Sequence, residues 1–170
     1  LAGAPMAGDD APLAWAPVNV IRTHRDALVQ ASGGTPLDQM VIDIVAALFD
    51  QLLADPDVAP QMARQIGRLQ LPVLRVALRD QTFFHARKHP VRLLINRMGS
   101  LATLFDDLTE GAGLQCINVI TALVKDIVEG DFDELDLYND KLNALEAFVE
   151  AQREQDKLAS ADVAHLLSSD

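Results

Sequence analysis

The sequence predicts an all-α protein: an irregular helical bundle of about six to eight helices around two very apolar central helices. Three observations carry this. The chain is 49% hydrophobic but only 5% aromatic, and its apolar share is mostly Leu and Ala, which favour helices over strands. Apolar residues recur at three-four spacing. Proline and glycine fall at the ends of those periodic stretches. A chain of 170 residues suits one domain burying roughly two-thirds of its unfolded surface.

Residues 1–17 are rich in Ala, Pro and Gly and read as a flexible linker, with Trp15 as the one side chain able to anchor it. Because the chain opens on Leu1 in such a stretch, we expect it to be an internal part of a longer protein. The helical domain is expected over 18–159, with 160–170 as a short C-terminal helix or tail.

The first helix should run over about 18–31 and stop at Ser32, Gly33 and Gly34. Thr35 then reads as an N-cap, with Pro36 at the first helical position and Asp38 placed to favour the helix dipole. The helix over 36–54 carries polar residues only on a narrow stripe of Gln39, Asp43 and Asp50, so it should have neighbours on most sides. Pro56 ends it, Asp57 is placed to cap the next helix, and Pro72 marks a boundary before a short helix over about 73–80.

Pro90 starts a further helix, whose Val91, Leu94, Met98, Leu101 and Phe105 form a core-facing stripe. After a loop comes 114–128, whose polar stripe of Gln115, Asn118, Thr121 and Lys125 marks it as partner to the central helix. The last long helix, about 134–157, shows Leu135, Tyr138, Leu142, Leu145 and Val149 at helical spacing and then loses its stripe. Its end should project into solvent, leaving dimerisation open, and Ser160 could begin one more short helix.

Net charge is -11, but it is unevenly spread. Residues 64–98 hold Arg64, Arg68, Arg75, Arg79, Arg87, Lys88, Arg92 and Arg97 against the single acid Asp80, a local +7 that leaves -18 for the other 135 residues. Arg64 with Arg68, and Arg75 with Arg79, are one helical turn apart. Arg87, Lys88 and Arg92 gather at the start of the Pro90 helix, where free backbone amides also attract anions. The basic patch Arg75, Arg79, Arg87, Lys88, Arg92 and Arg97 is therefore the candidate interaction or anion-binding surface. Scarce aromatics and the acidic remainder disfavour nucleic acid.

Catalytic chemistry finds no support in the motifs. Cys116 lies in an apolar run and reads as a buried structural thiol, and a single cysteine suits a reducing, cytoplasmic compartment. His85 and His89 are four apart, but Pro90 biases His89 out of helical geometry and no further ligand stands near. GDFDELDLYND alternates Asp131 and Asp133 like a calcium loop, yet Leu135, Asp136 and Leu142 occupy slots that need a ligand, a glycine and a glutamate. No cofactor is implied, and no uninterrupted apolar run reaches the length of a membrane span.

The order of residues in LQLPVLRVALRDQTFFHARKHPVRLLIN resembles the hallmark stretch of a bacterial family, domain of unknown function 1631. The matching positions are Leu69, Gln70, Pro72, Leu74, Ala77, Leu78, Asp80, Phe83, Phe84, His89, Pro90, Arg92, Leu93, Leu94 and Asn96, and LNALEAFVEAQ looks like a later element of the same family. The resemblance implies an internal piece of a long, mostly helical proteobacterial protein. Relatives with C-terminal domains resembling PilZ suggest cyclic-di-GMP signalling. It implies no activity and no catalytic residues.

Physics gives the motif its own reading. Pro72, Asp80, Phe83, Phe84, His89 and Pro90 form a structural joint, in which the two Phe plug the core, His89 helps cap the Pro90 helix, and Asp80 pairs with Arg92 or caps the turn. The function expected is a non-enzymatic interaction or regulatory module of a larger cytoplasmic bacterial protein. Its partners would be other domains of that protein or an acidic protein. The alternative is a small-anion or nucleotide site, including a cyclic dinucleotide, on the basic 64–98 segment.

Overall fold

The computed structural model describes residues 17–80, 82–105, 107–130 and 135–168, so Trp15 and the linker before Pro17 lie outside the described residues. These residues form α1 (Val20–Thr23), α2 (Arg25–Ser32), α3 (Pro36–Ala54), α4 (Pro60–Arg68), α5 (Gln70–Arg79), α6 (Thr82–His85), α7 (Pro90–Leu104), α8 (Gly111–Glu129) and α9 (Leu135–Ser168). The fold is all-α, with no strand among the described residues. Two of the nine helices, α1 and α6, are single turns.

α3 has the expected bounds and start: Thr35 Oγ1 accepts the Asp38 amide at 3.0 Å, with Pro36 in the first turn. α1, α2, α4 and α5 pack on α3, as expected for a helix with so little polar surface, but one apolar strip stays open. Val41, Ile42, Val45, Ala46 and Phe49 are buried, whereas Leu37, Met40 and Ile44 are 46%, 52% and 44% exposed. α4, nine residues long, is a second hub beside this helix and packs on α3, α5, α7 and α8 through Met62, Ala63, Gln65 and Ile66. α8 packs on α4 and α9 rather than chiefly on α3.

Other boundaries moved for identifiable reasons. The expected 18–31 helix breaks at His24, which separates α1 from α2 and lets Arg22 reach Asp50 while Arg25 reaches Asp43. Asp57 does not cap α4; its amide is held by Asp55 Oδ1 at 2.9 Å, and Ala59 precedes the helix. Pro72 lies inside α5, whose break with α4 falls at Leu69. The first turn of a helix needs no partner for its amides, so proline is accepted there. α8 begins at Gly111, three residues before the expected start, and α9 continues unbroken past Ser160.

α9 is 34 residues long, about 50 Å at 1.5 Å per residue. Its first half closes the core over α7 through Tyr138, Leu145 and Val149, and from Arg153 onward every described residue is exposed. By length and composition one helix among the described residues, α8, is apolar enough to cross a membrane. Here Cys116, Ile117, Ile120, Leu123, Val124 and Ile127 turn its apolar face into the protein core.

Candidate functional site

The α5–α6–α7 joint is built around two side chains. α5 ends at Arg79, and Asp80 takes extended backbone geometry as its C-cap. One carboxylate oxygen of Asp80 accepts from the Thr82 amide at 3.0 Å and the Thr82 hydroxyl at 2.6 Å, which fixes the start of α6. The other oxygen faces His89 Nε2 at 3.1 Å. On the far side of the ring, His89 Nδ1 accepts the Val91 amide at 3.2 Å and so caps α7.

Because Nδ1 must accept, the proton sits on Nε2 and is donated to Asp80. Thr82, aided by His89, holds the Asp80 carboxyl below the ordinary carboxylate range. The His89 side chain is 1% exposed. Phe83 meets it edge-on at 5.3 Å and meets Phe84 at 5.0 Å, so Phe83 is the core plug while Phe84 is only half-buried. Asp80 therefore caps the turn and pairs with His89, and the alternative pairing with Arg92 does not form. Arg92 instead donates to the Phe83 carbonyl at 3.4 Å.

An Asp–His pair beside a hydroxyl has the ingredients of a proton relay. Here both ring nitrogens are already committed, one to Asp80 and one to the backbone, so no lone pair remains to take a proton from a nucleophile. The arrangement is a latch. Cys116, on α8, is fully buried, and burial pushes its thiol up to about 11, far from the thiolate a nucleophile needs. Among the described residues no three His, Cys, Asp or Glu side chains group as metal ligands. Asp131 and Asp133 lie outside the described residues.

The structure divides the basic patch. Arg97 is turned to Glu146 on α9, and Arg92 is spent on the joint. Arg75 and Arg79 are exposed along α5, with Arg75 on the rim of a crevice between α2 and α5. Arg87 and Lys88 are exposed in the turn between α6 and α7, directly before the latch histidine. Pro72 and Pro90 sit in the first turns of α5 and α7. A second crevice, about 350 Å³, runs between α7 and α9 and is lined by Leu93, Asn96, Arg97, Leu142, Asn143 and Glu146.

One residue with a large structural role escaped the sequence reading. Gln70 is 2% exposed. Its amide donates to the Val18 carbonyl at 2.8 Å and the Gly67 carbonyl at 3.0 Å, while its oxygen accepts the Val20 amide at 2.8 Å. Gly67 permits this approach, since a Cβ there would lie 2.8 Å from the Pro17 ring. Gln70 stands in the recognised motif, but its partners Val18 and Val20 are some fifty residues away in sequence and no local pattern marks them.

A family model described as "Protein of unknown function (DUF1631) 2nd domain" matches residues 4–134. No curated protein and no solved structure matches the chain.

Proposed function

The chain belongs to the DUF1631 family, whose second domain it carries, and from that premise we propose that it is a non-enzymatic interaction module of a larger cytoplasmic bacterial protein. It docks an acidic partner, either another domain of the same protein or a separate one. A regulatory or signalling role follows from such docking.

The observation that carries this is the rigid presentation of Arg87 and Lys88. Both are exposed, neither pairs with an acid among the described residues, and the turn bearing them is fixed at one end by Asp80 and Thr82 and at the other by His89. Pre-organised charge loses less entropy on binding, and in a protein of net charge -11 a local basic turn also orients the approach of an acidic surface. The nucleotide alternative has less support. Arg92 donates into the joint and His89 occupies the Val91 amide, which removes two of the groups a phosphate would use.

The test is capture of partners by the tagged full-length protein at low and high salt, compared with the Arg87→Glu/Lys88→Glu variant. Charge reversal should remove salt-sensitive partners that wild type retains. An unchanged partner set would overturn this site. A nucleotide that raised the melting temperature selectively, over phosphate and pyrophosphate, would favour the alternative.

A further inference from the structure

The arm formed by residues 17–32 is attached differently from the rest of the fold. α2 buries no residue and α1 buries only Ile21, which is fully enclosed. Val20, Leu28 and Val29 pack half-buried against the core, and the rest of the attachment is polar. Asn19 Nδ2 donates to the Ala46 carbonyl at 2.9 Å and to Asp50 at 2.7 Å, and Arg22 pairs with Asp50. Arg25 binds Asp43 in a fork, at 2.6 and 3.0 Å. Gln70 grips the backbone on both sides of Asn19. Beneath α2 a crevice of about 370 Å³ undercuts the arm, lined by Leu28, Ala31, Leu71, Leu74, Arg75 and Leu78.

Exposed ion pairs contribute little to stability and weaken with salt. An element held by such pairs, one enclosed plug and a few half-buried apolar contacts opens at a lower free energy than the core. Lifting it would uncover a defined receptor on α3 and α5. Asp43 and Asp50 are seven residues apart on one helix, about 10.5 Å along its axis. Beside them lie the socket of Ile21 and the Gln70 carboxamide, which is set to bind an extended backbone.

We propose that this seam is a helix-docking groove and that the arm is its displaceable intramolecular occupant. The chemistry of the arm states the chemistry of the partner: a basic amphipathic helix with an extended lead-in, an apolar residue for the Ile21 socket, and two arginines about one turn apart for Asp50 and Asp43. The groove is acidic and lies on different helices from Arg87 and Lys88, so it selects an opposite class of partner and does not rest on the reading of the basic turn. The arm is thus an autoinhibitory strap.

The experiment has two arms. Hydrogen exchange on the wild-type chain should show amides of 20–32 exchanging through a local opening, faster than those of α3 to α8 and faster still at high salt. Exchange of the arm only together with global unfolding would overturn the proposal, whether or not any variant folds. Second, a labelled peptide of residues 17–34 is titrated onto the full chain. It should bind Arg22→Ala/Arg25→Ala at least tenfold more tightly than wild type, because the weakened strap competes less, and adding Asp43→Asn/Asp50→Asn should abolish that binding. Equal binding to both chains, or none to the loosened one, would sink it.

Discussion

Asp80 Oδ2 lies 3.1 Å from Nε2 of the buried His89, whose Nδ1 in turn receives the Val91 amide at 3.2 Å. These two bonds tie the end of α5 to the start of α7 and set one imidazole tautomer. The turn between them displays Arg87 and Lys88, so the stability of the latch and the availability of the basic turn are physically linked.

His89→Ala should cost about 2–4 kcal/mol, because it leaves the Val91 amide and one Asp80 oxygen unsatisfied and opens a void beside Phe83. For a domain this size each kcal/mol lowers the midpoint by roughly 2–4 °C, which thermal melts will read. Asp80→Asn tests the tautomer. If its amide nitrogen faced the ring, the imidazole proton would have to move to Nδ1 and the α7 cap would be lost. Nitrogen NMR should show the Nε2–H form in wild type. An Nδ1–H form there would contradict the assignment.

Acid should weaken the fold through carboxylates held below their ordinary range. The Thr82 bonds depress Asp80, and Arg25 and Arg22 depress Asp43 and Asp50. Each such group binds fewer protons folded than unfolded near the unfolded carboxylate value of about 3.9. Its contribution is therefore present above that value and lost as pH falls through the folded one. Urea unfolding across a pH series should show a decline below about pH 4–5, and Asp80→Asn should flatten that limb. An identical acid limb in the variant would show that Asp80 is not among the groups responsible.

Two glycines make a paired test of backbone approach. A Cβ on Gly113 would stand 1.9 Å from the Asp107 carbonyl oxygen, whereas a Cβ on Gly99, inside α7, meets nothing within 4 Å. Gly113→Ala must displace the start of α8 from the preceding loop and should destabilise by about 1–3 kcal/mol or more. Gly99→Ala should stabilise by up to about 1 kcal/mol through helix propensity. Opposite shifts in chemical denaturation midpoint are expected.

The domain should depend on the first half of α9 and not on the second. Ending the chain after residue 134 removes Tyr138, Leu145 and Val149 from the core and uncovers the face of α7 on which α9 packs. Cooperative melting should then be lost. Among the described residues, ending it after Gln152 removes only exposed ones, and the midpoint should move by no more than a few degrees, roughly the effect of 1 kcal/mol. Loss of folding in the chain ending at Gln152 would mean that the exposed half of α9 has a partner within the fold.

Local chemistry made much of this protein legible from its sequence. Helical periodicity and composition determined the all-α class, and Thr35 with Pro36 determined where α3 begins, because an N-cap acts within its own turn. The ordered run from Leu69 to Asn96 determined the family, and His89 before Pro90 announced the cap of α7. These signals need only neighbours in the chain.

Tertiary structure decided what depends on contacts between distant segments. It chose His89 over Arg92 as the partner of Asp80, since a buried imidazole gains more from that carboxylate than a guanidinium able to reach the Phe83 carbonyl. It set α4 beside α3 as a second hub, and it bound Gln70 to Val18 and Val20 across the chain. It also separated Arg87 and Lys88, left outward, from Arg92 and Arg97, turned to internal partners. A sequence records which charges exist, but burial and three-dimensional proximity determine which of them remain available to another molecule.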